Sequence, residues 1–502
     1  MQLNRRNFLF GTAAAASLAG CVSNKIGLRP LKKGEKRNIA MIGYGIQMRT
    51  ALIPQFLNKK YCGNTQIVAV CDCDKKRREA GKAQVDKFYG NTNCKAVADF
   101  RDILKDPMID MVCIATPDHW HAYMSVEAMK HGKDVYCEKP LTFNVDESRK
   151  VMEAEKKYGR VFQTGSMQRS WDVFRTAVTI VRNGYIGDIK YVDANYGRGG
   201  SKLGGPSHPI RFFDNPANAE KEGAPNPDCD WDMWLGPAKW RPYSDQLAPR
   251  GVKKFYPMFW RFDDDFGTGY NGDWGAHHLD IAQWGLNMDK SGPVKVIRSD
   301  EPYSKDLFHG GRRQFGMKFL FANGVELYHG PFNVWGTVFY GTDGIVAVNR
   351  GKIAVWTGTG PVKPNAEIRK QVEGVTFMKD KILAESVGKD YGTDATVKKD
   401  NRLDSVLKKL KAHFNLDKAP EKLYYSENQV KNFIDCVETR EAPISSAETG
   451  ARSAILCQLC NMSYIYDTGF DWDPVKNDFA NGTGKGISLK RDFCRNGWEV
   501  IV

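Results

Sequence analysis

The sequence predicts a two-part α/β protein, a doubly wound parallel sheet followed by a mostly antiparallel open sheet with helices on one face. Three observations carry this. Between residues 37 and 160, short β-branched runs alternate with longer amphipathic stretches, as strand–helix–strand units require. A glycine turn separates the first run from the helical pattern after it. Past residue 160, segments rich in Gly, Pro and aromatics take over, with alternating strands such as Lys190-Tyr-Val-Asp-Ala-Asn-Tyr196 and Gly324-Val-Glu-Leu-Tyr-His329.

The chain of 502 residues is long enough for two or three domains, and 42% hydrophobic with 26% charged residues is an ordinary globular composition. A net charge of +14 raises the question of nucleic acid. Lys and Arg are scattered, however, and the densest run, Lys398 to Lys411, alternates with Asp and Leu as a solvated helix face does. No nucleic-acid role is expected.

The first 21 residues read as a signal. Asn4-Arg5-Arg6-Asn7-Phe8-Leu9 precedes an apolar Ala/Leu stretch and then Leu18-Ala19-Gly20-Cys21, the pattern of twin-arginine export ending in a lipobox. The apolar part is shorter than the about 20 residues of a spanning helix. Cleavage before Cys21 would leave a lipid-bearing N-terminus, residues 22–36 would be a polar tether, and the body would sit on a membrane outside the cytoplasm. Of the other cysteines, Cys71, Cys73, Cys113 and Cys137 fall in or beside strand-like runs, and no disulfide framework is evident. Cys457 and Cys460 form a C-x-x-C in a helical pattern without a second ligand pair, so they are expected to pack a core.

Residues 37–160 make the first domain. Its strands are expected at Asn38-Ile-Ala-Met-Ile-Gly43, Gln66-Ile-Val-Ala-Val-Cys-Asp72, Met111-Val-Cys-Ile-Ala-Thr116 and Asp134-Val-Tyr-Cys-Glu138. Residues 161–502 form the second domain, with a Lys-rich insertion at about 360–422, and the helical pattern from Ser426 to Tyr466 is expected to pack back on the body.

Gly43-Tyr44-Gly45-Ile46-Gln47-Met48 lies between a strand and a helix. The first glycine suits a tight turn, and the second permits backbone to approach a pyrophosphate at a helix N-terminus. Met48 replaces the third glycine, which predicts a helix set farther from the sheet. Asp72, about 27 residues past Gly45, is placed to bind ribose hydroxyls and repel a 2′-phosphate, which favours NAD, while Arg77 and Arg78 keep NADP open. Asp72 capping the next helix is the structural alternative. Ala115-Thr-Pro-Asp-His-Trp-His121 and Glu138-Lys139-Pro140 follow later strands at the carboxyl edge, where such sheets bind ligands.

In the second half, Asp273-Trp-Gly-Ala-His277-His-Leu-Asp280 sets Asp273 and His277 four apart on one helical face, with His278 turned about 100° away. Together these segments resemble the Gfo/Idh/MocA oxidoreductases, with a T-P-x-x-x-H segment, an E-K-P motif and a D-x-G-x-H-x-x-D helix. Trp231-Asp-Met-Trp-Leu-Gly-Pro-Ala238, Gln168-Arg169, Asn432-Phe-Ile-Asp-Cys-Val-Glu-Thr-Arg440 and Asp471-Trp-Asp-Pro474 add to the likeness. It covers roughly residues 37–502 apart from the insertion.

The resemblance implies that Lys139 is an active-site lysine and that NAD or NADP is the cofactor. The cofactor-facing set is then Gly43, Tyr44, Gly45, Ile46, Gln47, Asp72, Thr116, Pro117, His121, Glu138, Lys139 and Gln168. It also suggests homo-oligomers.

Oxidation of a carbinol needs a base of near-neutral pKa at the hydroxyl, a role given to His277. Lys139 would stabilise the alkoxide and Asp273 would orient the pair, with the proton going to Lys139 or His277. Arg169, Trp260, Arg261, Tyr270 and His278 are candidate sugar contacts, through aromatic stacking and guanidinium forks. No metal site is expected, because no third ligand has diagnostic spacing.

Export to a compartment without free dinucleotide implies a tightly bound cofactor loaded before translocation and regenerated in place. The preferred expectation is oxidation of a sugar or glycoside to a keto-sugar, at C3. The alternatives are a glycosidase or epimerase working through transient oxidation, and a sugar-binding lipoprotein without turnover.

Overall fold

The computed structural model describes residues 27–195, 222–253, 259–298, 317–329, 336–365, 368, 372, 378–387, 401–495 and 497–502. The signal, Cys21 and residues 22–26 of the tether lie outside them.

Six strands form the first sheet: β1 (Arg37–Ile42), β2 (Thr65–Cys71), β3 (Lys95–Val97), β4 (Met111–Ile114), β5 (Asp134–Cys137) and β6 (Phe162–Thr164). Their order is β3-β2-β1-β4-β5-β6 and every pairing is parallel. The four central strands read as largely apolar runs because both faces are covered. Ile39 and Met41 pack into one layer, Ala40 and Ile42 into the other.

The flanking helices are set by local chemistry. In α1 (Lys75–Tyr89) Asp74 caps the start, accepting from Arg77 N, and Gly90 ends it at φ +68°. Helices α2 (Phe100–Lys105) and α3 (His121–Lys130) follow, and α4 (Val145–Tyr158) begins on an Asn144 cap that accepts from Glu147 N. Met48, in the third-glycine position, opens a π-helical turn at Met48–Leu52 and is fully buried against the sheet. The wider turn fits with a side chain between helix and sheet, where the glycine would have allowed closer packing.

Ten strands make the second sheet, in the order β14-β13-β12-β11-β7-β10-β9-β8-β15-β16. They are β7 (Ile189–Ala194), β8 (Lys295–Arg298), β9 (Met317–Leu320), β10 (Glu326–His329), β11 (Thr337–Gly341), β12 (Gly344–Asn349), β13 (Lys352–Thr357), β14 (Ile382–Val387), β15 (Phe470–Asp473) and β16 (Asp478–Phe479). All pairings are antiparallel except β7 with β10. Helices α5 (Asp172–Arg182), α6 (Ala276–Gly285), α7 (Asn401–His413) and part of α9 (Ala447–Ile465) share one apolar core with this sheet.

Two boundaries differ from the expectation. The first sheet continues to Thr164, because β6 is only three residues long and shows no alternation. The segment expected as an insertion supplies the edge strand β14 and helix α7, whose Leu407 and Leu410 are buried in the core. Helix α8 (Gln429–Thr439) packs Val430, Phe433 and Ile434 on the first sheet, while Cys457 and Cys460, on α9, lie in the core of the second sheet. Among the described residues no helix is long and apolar enough to cross a membrane.

Candidate active site

A cavity of about 480 Å³ runs from the glycine turn after β1 to the start of α6. At one end Gly43 holds φ +87°, and a Cβ there would lie 2.7 Å from the Ala115 carbonyl oxygen. Only glycine fits that turn. A Cβ on Gly45 would meet no protein atom within 4 Å, so this backbone faces the cavity itself.

Asp72 follows β2 and lines the same end, accepting from Tyr44 N at 2.7 Å and Asp74 N at 2.9 Å. The capping alternative falls to its neighbour Asp74, which caps α1 and leaves Asp72 to fix the glycine turn. Burial raises the Asp72 carboxyl, with Arg77 opposing. The side chain of Tyr44 turns out of the cavity, packing at Gly81 and donating to Gln84 Oε1. Ile46, Gln47, Thr116 and Pro117 line the cavity. Thr116 Oγ1 is buried with no partner among the described residues, a polar group left over for a ligand in the cavity to satisfy. These features fit a dinucleotide.

Glu138 is tied to the glycine turn by Gln47 Nε2 at 3.1 Å. His121 lines the cavity, yet its ring is occupied: Nδ1 faces Pro140 O at 2.7 Å and Nε2 faces Thr116 O at 2.9 Å. Only an imidazolium donates to both. Burial opposes that charge, but the Cys137 sulfur, Asp118 and the Pro140 carbonyl outweigh it and raise His121 to about 10.

At the other end, Lys139 Nζ donates to Asp273 Oδ1 at 2.5 Å and to the Asp273 carbonyl at 2.8 Å. Arg261 Nε sits 3.2 Å from Asp273 Oδ2, with its guanidinium over the Trp260 ring. Burial opposes ionisation of Asp273, but the Arg261 and Lys139 cations hold it well below the usual carboxylate range.

Asp273 lies in a π-helical turn, Asn271–Gly275, rather than in the regular helix the four-residue spacing implied, and His277 follows in the first turn of α6. The turn fits tightly, since a Cβ on Gly272 would lie 1.6 Å from Thr268 Oγ1. Both Asp273 and His277 still line the cavity. His277 departs from the near-neutral base of the expectation. Burial, Arg350 and Lys139 push it well below 6.5, so the ring is neutral, and its Nδ1 is buried without a partner among the described residues.

Trp260, Arg261 and Tyr270 line this end, but three other expected contacts do not. Arg169 is 1% exposed and bonded to Asp280 and Asp289. His278 stacks behind Trp274 at 6.1 Å and is lowered to about 3 by burial and Arg350. Gln168 donates to the His277 carbonyl and accepts from Arg350 Nε at 2.9 Å, so it positions the site from behind. Arg350 was not expected. It lies in the turn between β12 and β13, fully buried, with its guanidinium 4.5 Å from the Trp274 ring and lining the cavity. In sequence, Asn349-Arg350-Gly351 reads as an exposed hairpin turn, which gave no signal.

Fold and site define a class, a dinucleotide-binding domain joined to an open-sheet α/β domain, with reactive side chains from both in one cavity. Residues 37–166 match the family model described as an oxidoreductase family, NAD-binding Rossmann fold, and residues 212–328 match that family's C-terminal alpha/beta domain. The chain belongs to the Gfo/Idh/MocA oxidoreductase family, and its first domain is an NAD-binding Rossmann domain.

An uncharacterised oxidoreductase of Bacillus subtilis, YrbE, is 41% identical over 90 residues, 18% of this chain and 26% of that protein. Inositol 2-dehydrogenase 1 of Mycolicibacterium vanbaalenii is 37% identical over 98 residues, 19% of this chain and 29% of the relative. The chain thus matches little more than a quarter of the length of these two relatives. Among solved structures, levoglucosan dehydrogenase in complex with NADH and levoglucosan has a TM-score of 0.51 at 17% identity, covering 87% of this chain and 99% of the other. Aldose-aldose oxidoreductase from Caulobacter crescentus has a TM-score of 0.51 at 16% identity, covering 87% and 100%. These two likenesses are of fold.

Proposed function

We propose that the protein oxidises a ring hydroxyl of a sugar or glycoside, giving a keto-sugar and preferably a 3-keto product, with an NAD that stays bound between turnovers. The observation that carries this is one continuous cavity with the Gly43 turn and Asp72 at one end and Lys139, Asp273 and His277 at the other. Local identity to an inositol 2-dehydrogenase fits a cyclic polyhydroxy substrate.

A bound nicotinamide supplies the hydride acceptor; the side chains supply the rest. Gly43, Gly45 and Asp72 hold the dinucleotide end, and Trp260 and Tyr270 offer aromatic faces to a sugar ring. Lys139 has two protons committed to Asp273 and a third for the substrate oxygen. Asp273 fixes that ammonium, and Arg261 balances it. His277, held neutral by burial and the nearby cations, takes the hydroxyl proton as negative charge develops beside it and offsets the Arg350 and Lys139 cations.

We extend the proposal to location: the Arg5-Arg6 signal and Cys21 would export the folded, loaded protein and anchor it by lipid, so that a second sugar returns the protein to its starting redox state. The test is the near-ultraviolet absorbance of purified, signal-free protein before and after adding a panel of glycosides and free sugars, beside Lys139→Ala and His277→Ala. A co-purifying dinucleotide reduced by a sugar, and not in either variant, supports the reading. Net glycoside hydrolysis without lasting redox change would select transient oxidation instead. A protein taking up no dinucleotide would leave a sugar-binding role.

A further inference from the structure

The cavity's ribose end is closed by a segment of the second domain, and two cysteines meet across that closure. An isolated antiparallel bridge pairs Asp74 with Cys229. Lys75 N donates to Asp228 O at 2.7 Å and Asp230 N to Cys73 O at 3.1 Å, so residues 73 and 229 lie on adjoining segments joined by one bridge, one step apart in register. Their thiols are neighbours that interact with each other. Both line the cavity beside Asp72 and Arg77, and both are partly exposed free thiols.

Deeper in, the segment is held by the buried Trp234 carbonyl, which accepts from Trp120 Nε1 at 3.3 Å; near the cysteines its contacts are polar and more exposed, Arg77 donating to Pro249 O at 2.6 Å and Lys76 pairing with Asp228 at 2.8 Å with its side chain 63% exposed. Such contacts are individually weak and screened by salt.

We propose that Cys73 and Cys229 form a disulfide that staples residues 226–253 to the first domain and locks the dinucleotide in its cavity. This rests on the NAD reading of that cavity. In forming the bond the two thiols lose two protons and two electrons; an acceptor disulfide such as oxidised glutathione takes them and leaves as two thiols. Hydrogen bonding to Cys229 and burial hold the Cys73 thiol well above its usual range, so thiolate is scarce at neutral pH. The bond therefore forms slowly, as a staple set after folding rather than a fast sensor. An oxidising compartment outside the cytoplasm would maintain it. By reciprocity, a bond that strengthens NAD retention is itself favoured by bound NAD by the same factor.

The test uses the full folded chain, reduced or treated with oxidised glutathione, loaded with NADH. Non-reducing peptide mass spectrometry reads the Cys73–Cys229 link, and nicotinamide fluorescence during a chase with excess NAD reads release. The expected result is a linked peptide only after oxidation, and release slowed about tenfold. Cys73→Ala and Cys229→Ala should show no oxidant effect on release. Absence of the linked peptide from oxidised wild type, or a link that leaves release unchanged, overturns the lock. Failure of reduced protein to take up NADH refutes the cofactor reading and the lock with it, while the peptide still reports whether the thiols pair.

Discussion

Replacing Arg169 by Met separates the two roles this residue can have. As a sugar contact, its loss would raise KM and leave the fold intact. In the structure, Arg169 makes five hydrogen bonds, three to Asp280 and two to Asp289, and lies over Trp284. Arg169 and Asp280 are each 1% exposed, whereas Asp289 is 27% exposed and is rehydrated when its partner goes. Among the described residues, Asp280 would keep only the Ser453 hydroxyl, at 2.7 Å, as side-chain donor. Breaking one side of a buried pair costs about 3–5 kcal/mol.

The loss should depend on pH. Burial already raises the Asp280 carboxyl, and removing Arg169 raises it further above its unfolded value. The protonated form costs little, so the variant's deficit is small below about pH 4, the unfolded value, and grows as pH rises toward the folded one. Denaturant unfolding at pH 5 and pH 8, with sugar-dependent turnover on the same samples, provides the assay. A stability change under about 1 kcal/mol at both pH values, with a raised KM, would return Arg169 to the substrate and refute the structural argument.

Lys139→Met removes the ammonium but keeps the chain length; kcat should fall about 10²–10³-fold with NADH binding retained, as measured by single-turnover kinetics and fluorescence titration. Asp72→Asn keeps an acceptor for Tyr44 N and removes the charge, so the preference for NAD over NADP should fall about tenfold in competition binding. Glu155 is raised to about 7 by burial, opposed by the Ala447 N–H. Its contribution is complete below the unfolded carboxyl value and is lost as pH rises to about 7, so Glu155→Gln should gain about 1–2 kcal/mol at pH 8 and nothing near pH 4, read from denaturant midpoints.

The four central strands of the parallel sheet were legible because they are apolar over most of their length, and Gly43 was legible because a positive φ against the Ala115 carbonyl admits no other residue. Asp72 could be chosen because its segment ends a strand at the carboxyl edge of the parallel sheet, and Lys139 and His277 because their motifs resemble those of the Gfo/Idh/MocA family. Residue type alone misled at Arg169 and His278, since an arginine or histidine reads the same in a buried ion pair or behind a tryptophan as in a binding site.

Tertiary structure decided the rest. It buried the Arg350 turn and set three cations around one carboxylate and a neutral histidine. It also brought Cys229 to Cys73 across more than 150 residues of chain. Local sequence specifies strands, caps and turns because their energetics are local. The charge state of His277 and the meeting of two thiols depend on groups distant in the chain, and only folding fixes those separations.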